Sequence, residues 1–495
     1  MSTALVERPL SVPLRVVLGG IRLRYLAIGL GALGWFVTFL GSWIPSFWGD
    51  EAASVMSAER PISTLWSELG RVDAVHGTYY LFLHFWIDLF GASELSVRFP
   101  STIAVGVAVA GTVVLGGLLF SRPAALIAGI VCILLPRVGY MAAEGRSYAI
   151  GTALAVWLTV LLVTLMRRRA TGVLPWLGYS VLLAVSIYVF LYFVLIAVVH
   201  GMVLVLSKDG RPLIRRWLAA AVGSALLASP LLVYGLAQHG QISFLAHRNY
   251  VTFERLFVIQ WFGDPWLAAA CWAVILAAVV FLIRRRSAGG VLVVAWLLVP
   301  MSILFVGNSV IAPMYSIRYL SFSTPAAALL IGVGIGWLGR NWLRVAAVVA
   351  LVALAIPTNL FQRTPYAKDG GSDLRQLSEV VAQNAHSGDA IVFDKSTKPS
   401  GRPRLALHLY PQDFAGLKDV GLLTPYMRLP GLWDRVAPVS EIGGALTSTP
   451  TVWAVELSNA TTPADVLDLQ QLGYTVSREI PVHRTTVYQL TRETP

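Results

Sequence analysis

The sequence predicts a polytopic α-helical membrane protein that carries a small α/β domain at its C-terminal end. Three observations carry this reading. The 495 residues are 56% hydrophobic and 13% charged, with a mean hydropathy of +0.69, which is more apolar surface than a soluble domain of this size uses. Several apolar runs approach the ~20 residues that cross a hydrocarbon layer as a helix, and they are neither as short nor as alternating as barrel strands. From about residue 361 onward, Asp, Lys, Pro and Gly return at ordinary soluble frequencies.

Candidate spans fall at 22–44, 99–119, 123–141, 147–166, 174–188, 190–206, 213–237, 264–283, 289–308, 319–338 and 342–360, about eleven in all. No polar break separates 174–188 from 190–206. Charge supports the split. With the N-terminal Arg8, Arg15, Arg22 and Arg24 inside the cell, alternate counting places every strong basic cluster on that same side. These are Arg122, Arg167–Arg169, the group Lys208, Arg211, Arg215 and Arg216, the run Arg284–Arg286, and Arg340 with Arg344. Positive charge is retained on the cytoplasmic side of membrane proteins, so the net charge of +12 reads as a topology signal and not as a nucleic-acid footprint. The same count puts the loop 45–98 and everything after 361 outside. No cleavable signal is expected at the N-terminus. Cys132 and Cys271 each lie inside an apolar run, which argues against a disulfide framework or a cysteine metal site.

The first outer loop, 45–98, opens on Phe47-Trp48-Gly49-Asp50-Glu51-Ala52, two adjacent carboxylates where the first span surfaces. Charges at that depth need water, a partner or a chemical role. Further on, Gly77 to Gly91 carries Tyr79, Tyr80, His84, Phe85, Trp86 and Phe90. Ring side chains of this kind favour the headgroup level, so the stretch reads as an interfacial helix, the alternative being a short second span. Three more polar groups fall on the outer side. They are Glu144-Gly145-Arg146-Ser147-Tyr148, the loop 238–263 with His239, His247, Arg248, Glu254 and Arg255 and Asp264 at its edge, and Tyr315-Ser316-Ile317-Arg318-Tyr319. Residues 362–495 read as an outer α/β domain. Ser372 to His386 has helical spacing with Ser372 as its cap, Ala390–Phe393 and Val452–Val455 read as buried strands, Pro463 opens a helix, and Val476–Ile480 with Thr485–Leu490 read as a closing hairpin. Asn459-Ala460-Thr461 fits a glycosylation sequon.

Several motifs recur in a recognisable order. They are Gly49-Asp50-Glu51, the passage Asp73 to Tyr80, Leu95-Ser96-Val97-Arg98-Phe99-Pro100-Ser101, Arg146-Ser147-Tyr148, Ile317-Arg318-Tyr319-Leu320, and the stretch 372–393. Together they resemble the integral-membrane glycosyltransferases of the GT-C fold class. More narrowly, the chain is similar to bacterial relatives of the protein O-mannosyltransferase and lipid A aminoarabinose transferase group. It departs from many of them in having Gly77-Thr78 where they have Pro-Pro. The resemblance implies two domains, a transmembrane catalytic domain over 1–361 that includes the loop 45–98, and an extracytoplasmic domain over 362–495. It also implies an inverting enzyme of a bacterial cytoplasmic membrane. That enzyme transfers a sugar, mannose first among the options, from a polyprenyl-phosphate donor to a hydroxyl of an envelope glycolipid, polysaccharide or protein.

That chemistry makes sense of the residues. A hydroxyl is a weak nucleophile and needs a general base, for which Asp50 is the candidate, with Glu51 beside it as a second catalytic group or as a partner that orients the loop. Loss of the lipid phosphate builds negative charge, which arginines stabilise well. Arg146 and Arg318 are the candidates, and Glu144, His76, Tyr80 and Tyr319 are further candidate substrate contacts. No cofactor is expected. The histidines and carboxylates show no metal-ligand spacing. The alternatives are a transporter or flippase of a lipid-linked saccharide, an arabinosyltransferase using a polyprenyl-phosphate arabinose, or a non-catalytic binding partner. No clear repeat relates the two halves, as transporters tend to show, and this favours an enzyme.

Overall fold

The computed structural model describes residues 21–247, 251–446, 449–458 and 463–492. Arg8, Arg15, Arg248, the sequon at 459–461 and the side chains of Arg22 and His247 lie outside what it describes. The chain folds as two compact units. One comprises Met1–Ser42 and Arg98–Phe361, and the other Trp43–Val97 and Gln362–Pro495. The first outer loop, expected to belong with the membrane domain, thus folds with the C-terminal segment.

In the membrane unit, five helices among the described residues are long and apolar enough to cross a bilayer: Glu94–Leu119, Tyr148–Arg167, Pro265–Arg284, Ala288–Val310 and Asn341–Phe361. Two bent helix pairs bring these to seven if each pair is one span, and four shorter apolar helices, Leu23–Phe39, Val173–Val189, Leu191–Leu206 and Ser321–Gly336, lie at the remaining predicted spans. Each predicted span has a helix, but two are not straight. The span predicted at 123–141 breaks by 58° between Arg122–Leu134 and Pro136–Ala142, and that at 213–237 by 59° between Arg211–Leu227 and Ser229–Ala237. Pro136 and Pro230 sit at the first turns after the breaks, where a missing N–H and the ring interrupt the helical ladder. The first span ends at Phe39, short of the predicted 44, with Gly41 in the left-handed region at φ 77°.

The break at 189–191 has a tertiary cause. Phe190 is extended, and its ring packs on those of Tyr148, Tyr192, Tyr319 and Phe322 at 5.5–6.2 Å. An aromatic cluster, rather than a polar residue, ends the helix. Close helix approach relies on small residues. A Cβ on Gly332 would lie 2.5 Å from the Ala124 carbonyl oxygen, and Cβ atoms on Gly31 and Gly106 would each lie 2.8 Å from the other's carbonyl.

The second unit contains a five-stranded sheet in the order β2-β1-β5-β7-β6. β1 (Ala390–Phe393) is parallel to β2 (Lys418–Asp419) and to β5 (Thr451–Leu457), while β5 pairs antiparallel with β7 (Thr485–Thr491) and β7 with β6 (Thr475–Pro481). β3 (Leu422–Thr424) and β4 (Arg435–Val436) form a separate ribbon. All four residues of β1 are buried, as fits a central parallel strand. The predicted strands and hairpin are present, whereas β2, β3 and β4 are too short to leave a pattern. The helix predicted at 372–386 runs Leu374–Asn384, and Ser372 does not cap it. Its hydroxyl donates instead to the Phe47 carbonyl at 2.7 Å. Asp373 holds the cap position, but its Oδ2 accepts from the backbone N–H groups of His483, Arg484 and Thr485 and from the Thr485 hydroxyl. A side chain with cap chemistry is spent on tertiary contacts.

One end of this sheet concentrates buried acid. Burial, followed by the charges of Asp465 and Asp394, pushes Glu456 up to about 8. Burial and Asp394 push Asp465 up to about 6. A carboxyl whose folded value is raised contributes stability below its unfolded value and loses it as pH rises through the folded one. The ordinary values here are 4.5 and 3.8, so the loss runs from about pH 4 to about pH 8. We expect the unfolding temperature of the second unit to fall between about pH 4 and about pH 8. Glu456→Gln should flatten the upper part of that fall and raise the transition temperature at the alkaline end. A transition that is flat or rising across this range in differential scanning calorimetry would contradict the assignment.

Candidate active site

The predicted site residues fall into two groups, one in each unit. In the second unit, the chain leaves the buried Phe47 and Trp48 in extended conformation and enters a helix, Gly49–Ala58. The carboxylate pair is therefore not a solvated tail of the first span. Asp50 and Glu51 lie in the first turn of a separate helix, where unpaired N–H groups and the positive helix end favour negative charge. All of its residues except Asp50 are buried. Glu51 has no exposed surface, while Asp50 keeps partial exposure. Of the pair, only Asp50 is open to a reactant.

The far end of this helix is fastened by buried ions. Arg60 Nε lies 2.6 Å from Glu68 Oε2, and both side chains are fully buried. The Ser57 hydroxyl donates to Glu68 at 2.7 Å, and Arg60 donates to the carbonyls of Leu429 at 2.9 Å and Gly431 at 2.5 Å. Burial raises the neighbouring Glu59 to about 7. Asp73 takes a left-handed φ of 57° and accepts the Tyr80 hydroxyl at 2.7 Å, and the His76 ring lies 5.9 Å from that of Tyr80. Tyr80 is thus held by Asp73, seven residues earlier in the chain. The helix Gly77–Phe90 follows, as the interfacial reading expects. Its first residue lies against Leu69, whose Cδ1 would be 2.8 Å from a Cβ on Gly77.

In the membrane unit, Glu144 pairs with Arg318 at 3.3 Å. The main-chain oxygen of Glu144 accepts from the Arg146 N–H at 2.9 Å and from the Ser101 hydroxyl at 2.8 Å. Arg318 lies over the Tyr148 ring at 5.9 Å, and Tyr319 stacks on Tyr192 at 5.0 Å. Glu144, Arg146, Arg318 and Tyr319 are thus gathered around Tyr148.

Sequence reasoning missed Arg137 and Gln260 in this group and singled out Tyr315 only as part of the polar stretch 315–319. Arg137 is buried at the bend of its span, with Glu144 and Arg318 among the charged groups that act on it. Its Nε donates to the Gln260 carbonyl at 2.6 Å and its Nη2 to the Ile259 carbonyl at 3.2 Å. The Tyr315 hydroxyl donates to the Gln260 side chain. Asn308 accepts from the N–H groups of Met314 and Tyr315 at 2.9 and 3.0 Å, which shapes the turn that carries Arg318. The available signal was a charge inside an apolar run directly after a proline. In the loop 238–263, Asp264 caps the next helix by accepting from Leu267 N–H at 2.8 Å, and His239 donates from Nδ1 to the Leu236 carbonyl. Among the described residues no group of three or more His, Cys, Asp or Glu side chains could hold a metal ion.

Comparison with known proteins follows the fold. The family described as dolichyl-phosphate-mannose-protein mannosyltransferase matches residues 78–234. No curated protein sequence matches the chain. Among solved structures, ArnT from Cupriavidus metallidurans in the apo state superposes with a TM-score of 0.57 at 12% identity, covering 93% of this chain and 97% of ArnT. The same protein bound to undecaprenyl phosphate gives 0.58 at 13% identity, again over 93% and 97%. The archaeal oligosaccharyltransferase AglB from Archaeoglobus fulgidus, in complex with an inhibitory peptide and a dolichol-phosphate, gives 0.52 at 11% identity, over 94% of this chain and 74% of AglB. The chain therefore shares its GT-C fold with ArnT and AglB, and residues 78–234 match the model of the dolichyl-phosphate-mannose-protein mannosyltransferase family.

Proposed function

We propose that this protein transfers a sugar, most simply mannose, from a polyprenyl-phosphate donor to a hydroxyl of an envelope glycolipid, polysaccharide or protein, with inversion, on the outer side of the membrane. The observation that carries the reading is the charge group in the membrane unit. Three guanidiniums, those of Arg137, Arg146 and Arg318, are gathered with one carboxylate, Glu144. Guanidinium gathered at a bend and at the ends of apolar helices suits a phosphate headgroup whose lipid tail stays in the bilayer. The lipid phosphates bound to ArnT and AglB are of that chemical kind.

The step balances simply. The acceptor oxygen attacks the anomeric carbon, and Asp50 takes the hydroxyl proton. The bond from that carbon to the phosphate oxygen breaks, and its electron pair leaves with the phosphate. One displacement inverts the anomeric centre. Arg146 and Arg318 offset the charge that grows on the leaving group. Asp50 serves as base because it alone of the acidic pair keeps exposure. The buried Glu51 orients the turn. His76, Tyr80 and Tyr319 complete the substrate contacts. Mannose is favoured by the family matched at 78–234.

In nanodiscs supplied with polyprenyl-phosphate mannose and an envelope extract, wild type should convert donor to a heavier product by mass spectrometry. Asp50→Asn should lower turnover by roughly 10²–10⁴-fold, the range for loss of a general base, with donor affinity retained. Equal turnover in the two proteins sinks Asp50 as base. Arg318→Ala should weaken donor binding by roughly 10–100-fold, as expected for loss of a charged hydrogen bond. Unchanged binding by calorimetry removes Arg318 from the phosphate site.

A further inference from the structure

The segment that delivers Asp50 is held by the C-terminal domain. Ser46 N–H donates to the Pro365 carbonyl at 2.9 Å, and the Ser46 hydroxyl accepts from Arg375 N–H at 3.0 Å. The next carbonyl, Phe47, accepts from the buried Ser372 hydroxyl at 2.7 Å. The Arg375 guanidinium donates to the Ile44 carbonyl and lies 3.3 Å from Glu94, which also accepts the Tyr410 hydroxyl at 2.5 Å. On the other side of the segment, a Cβ on Gly49 would stand 1.9 Å from the Ser400 carbonyl oxygen. No other residue fits at Gly49 without moving one backbone or the other.

We propose that the C-terminal α/β domain is a positioning element of the transfer site, acting through Ser372 and Arg375 on Ile44, Ser46 and Phe47, which lead into the Asp50 helix. This rests on Asp50 as the base. A ten-residue helix is too short to be stable by itself, so its place is set by what grips its ends. The far end is gripped by Arg60 on the carbonyls of Leu429 and Gly431, which belong to the same C-terminal stretch. Both ends of the helix are therefore referred to one body. Displacement by about 1 Å of a group that must meet a proton in flight costs up to ~100-fold in rate. Ser372 and Arg375 touch no reactant in this scheme and act only through Asp50.

The test is Ser372→Ala in the full-length protein in nanodiscs. Turnover of polyprenyl-phosphate mannose should fall by about 10–100-fold, while KM for the donor stays within about threefold of wild type, because binding geometry is untouched. Tyr474→Phe serves as the control. It deletes a hydroxyl that donates to the Leu446 and Thr449 carbonyls in the same domain, so it weakens the domain without touching the Asp50 segment and should leave turnover unchanged. Full turnover in Ser372→Ala, or an equal loss in Tyr474→Phe, overturns the proposal. Amide exchange supplies the readout that does not need activity. Amides of residues 46–54 should exchange faster in Ser372→Ala, with β5 protected as before. If wild type transfers no sugar, the proposed function fails and exchange alone decides the positioning. Unchanged protection at 46–54 then overturns it.

Discussion

The second unit depends on the burial of a short helix that carries two adjacent acids. Ten residues of helix supply too few hydrogen bonds to repay their ordering, so the Gly49–Ala58 helix exists because small side chains let other backbone close around it. Gly49, Ala52, Ala53, Ser54, Ser57 and Ala58 are all buried. Close packing then brings Ser400 against Gly49, and it leaves Glu51 and the Arg60–Glu68 pair without water. Buried ions are tolerated only when paired and hydrogen-bonded, and here each has partners. The Glu68 carboxylate receives both Arg60 and Ser57. Asp50 differs from Glu51 in keeping partial exposure.

A second charged network braces the same unit at its ribbon. Arg404 bridges Asp419 and Asp434, and His408 Nε2 lies 2.7 Å from Asp434. Burial pushes Asp434 up, but His408 and Arg404 outweigh it and hold the carboxyl at about 2. Asp434 also accepts from Tyr426 N–H at 2.7 Å, and the Tyr426 ring lies 5.0 Å beneath the Arg60 guanidinium. The ribbon is thereby linked through Tyr426 to the residue that closes the Asp50 helix.

What the sequence made legible follows from the range of the interaction concerned. Hydropathy averages over about 20 residues, and a helix at each predicted span and the change in composition near 361 were visible at that range, while the strands β1, β5, β6 and β7 showed as short runs of strand-forming residues. Helix bends were not, because hydropathy does not register the proline geometry at Pro136 and Pro230. The grouping of 43–97 with the C-terminal segment was hidden for another reason. It is written in contacts such as Ser372 with Phe47 and Arg60 with Leu429, each more than 300 residues apart in the chain. Among the candidate site residues, Glu144, Arg146, Arg318 and Tyr319 stood out because polar residues at the ends of apolar runs are few. Their mutual arrangement did not. Glu144 pairs with Arg318, 174 residues later in the chain. Ser372 looked like a helix cap because Ser at such a position usually is one, and the tertiary hydrogen bond to Phe47 took its hydroxyl instead.

Arg137 shows why irregular backbone and charge occur together in the membrane unit. Backbone that leaves the helical ladder at membrane depth must find other partners, since lipid offers none. Pro136 cannot donate a hydrogen bond, and the nearby Leu134 carbonyl is satisfied by the Asn359 amide at 3.0 Å. The π-helical turn Arg255–Ile259 ends in the carbonyls of Ile259 and Gln260, and Arg137 satisfies both. A charged side chain is thereby held among apolar helices by the same carbonyls whose exposure it relieves. Glu144 and Arg318 lie within reach of its charge, so the bend, the π-turn and the ion pair are mutually dependent. The break in the span is then the feature that allows a guanidinium among apolar helices, and the guanidinium is what makes the break tolerable.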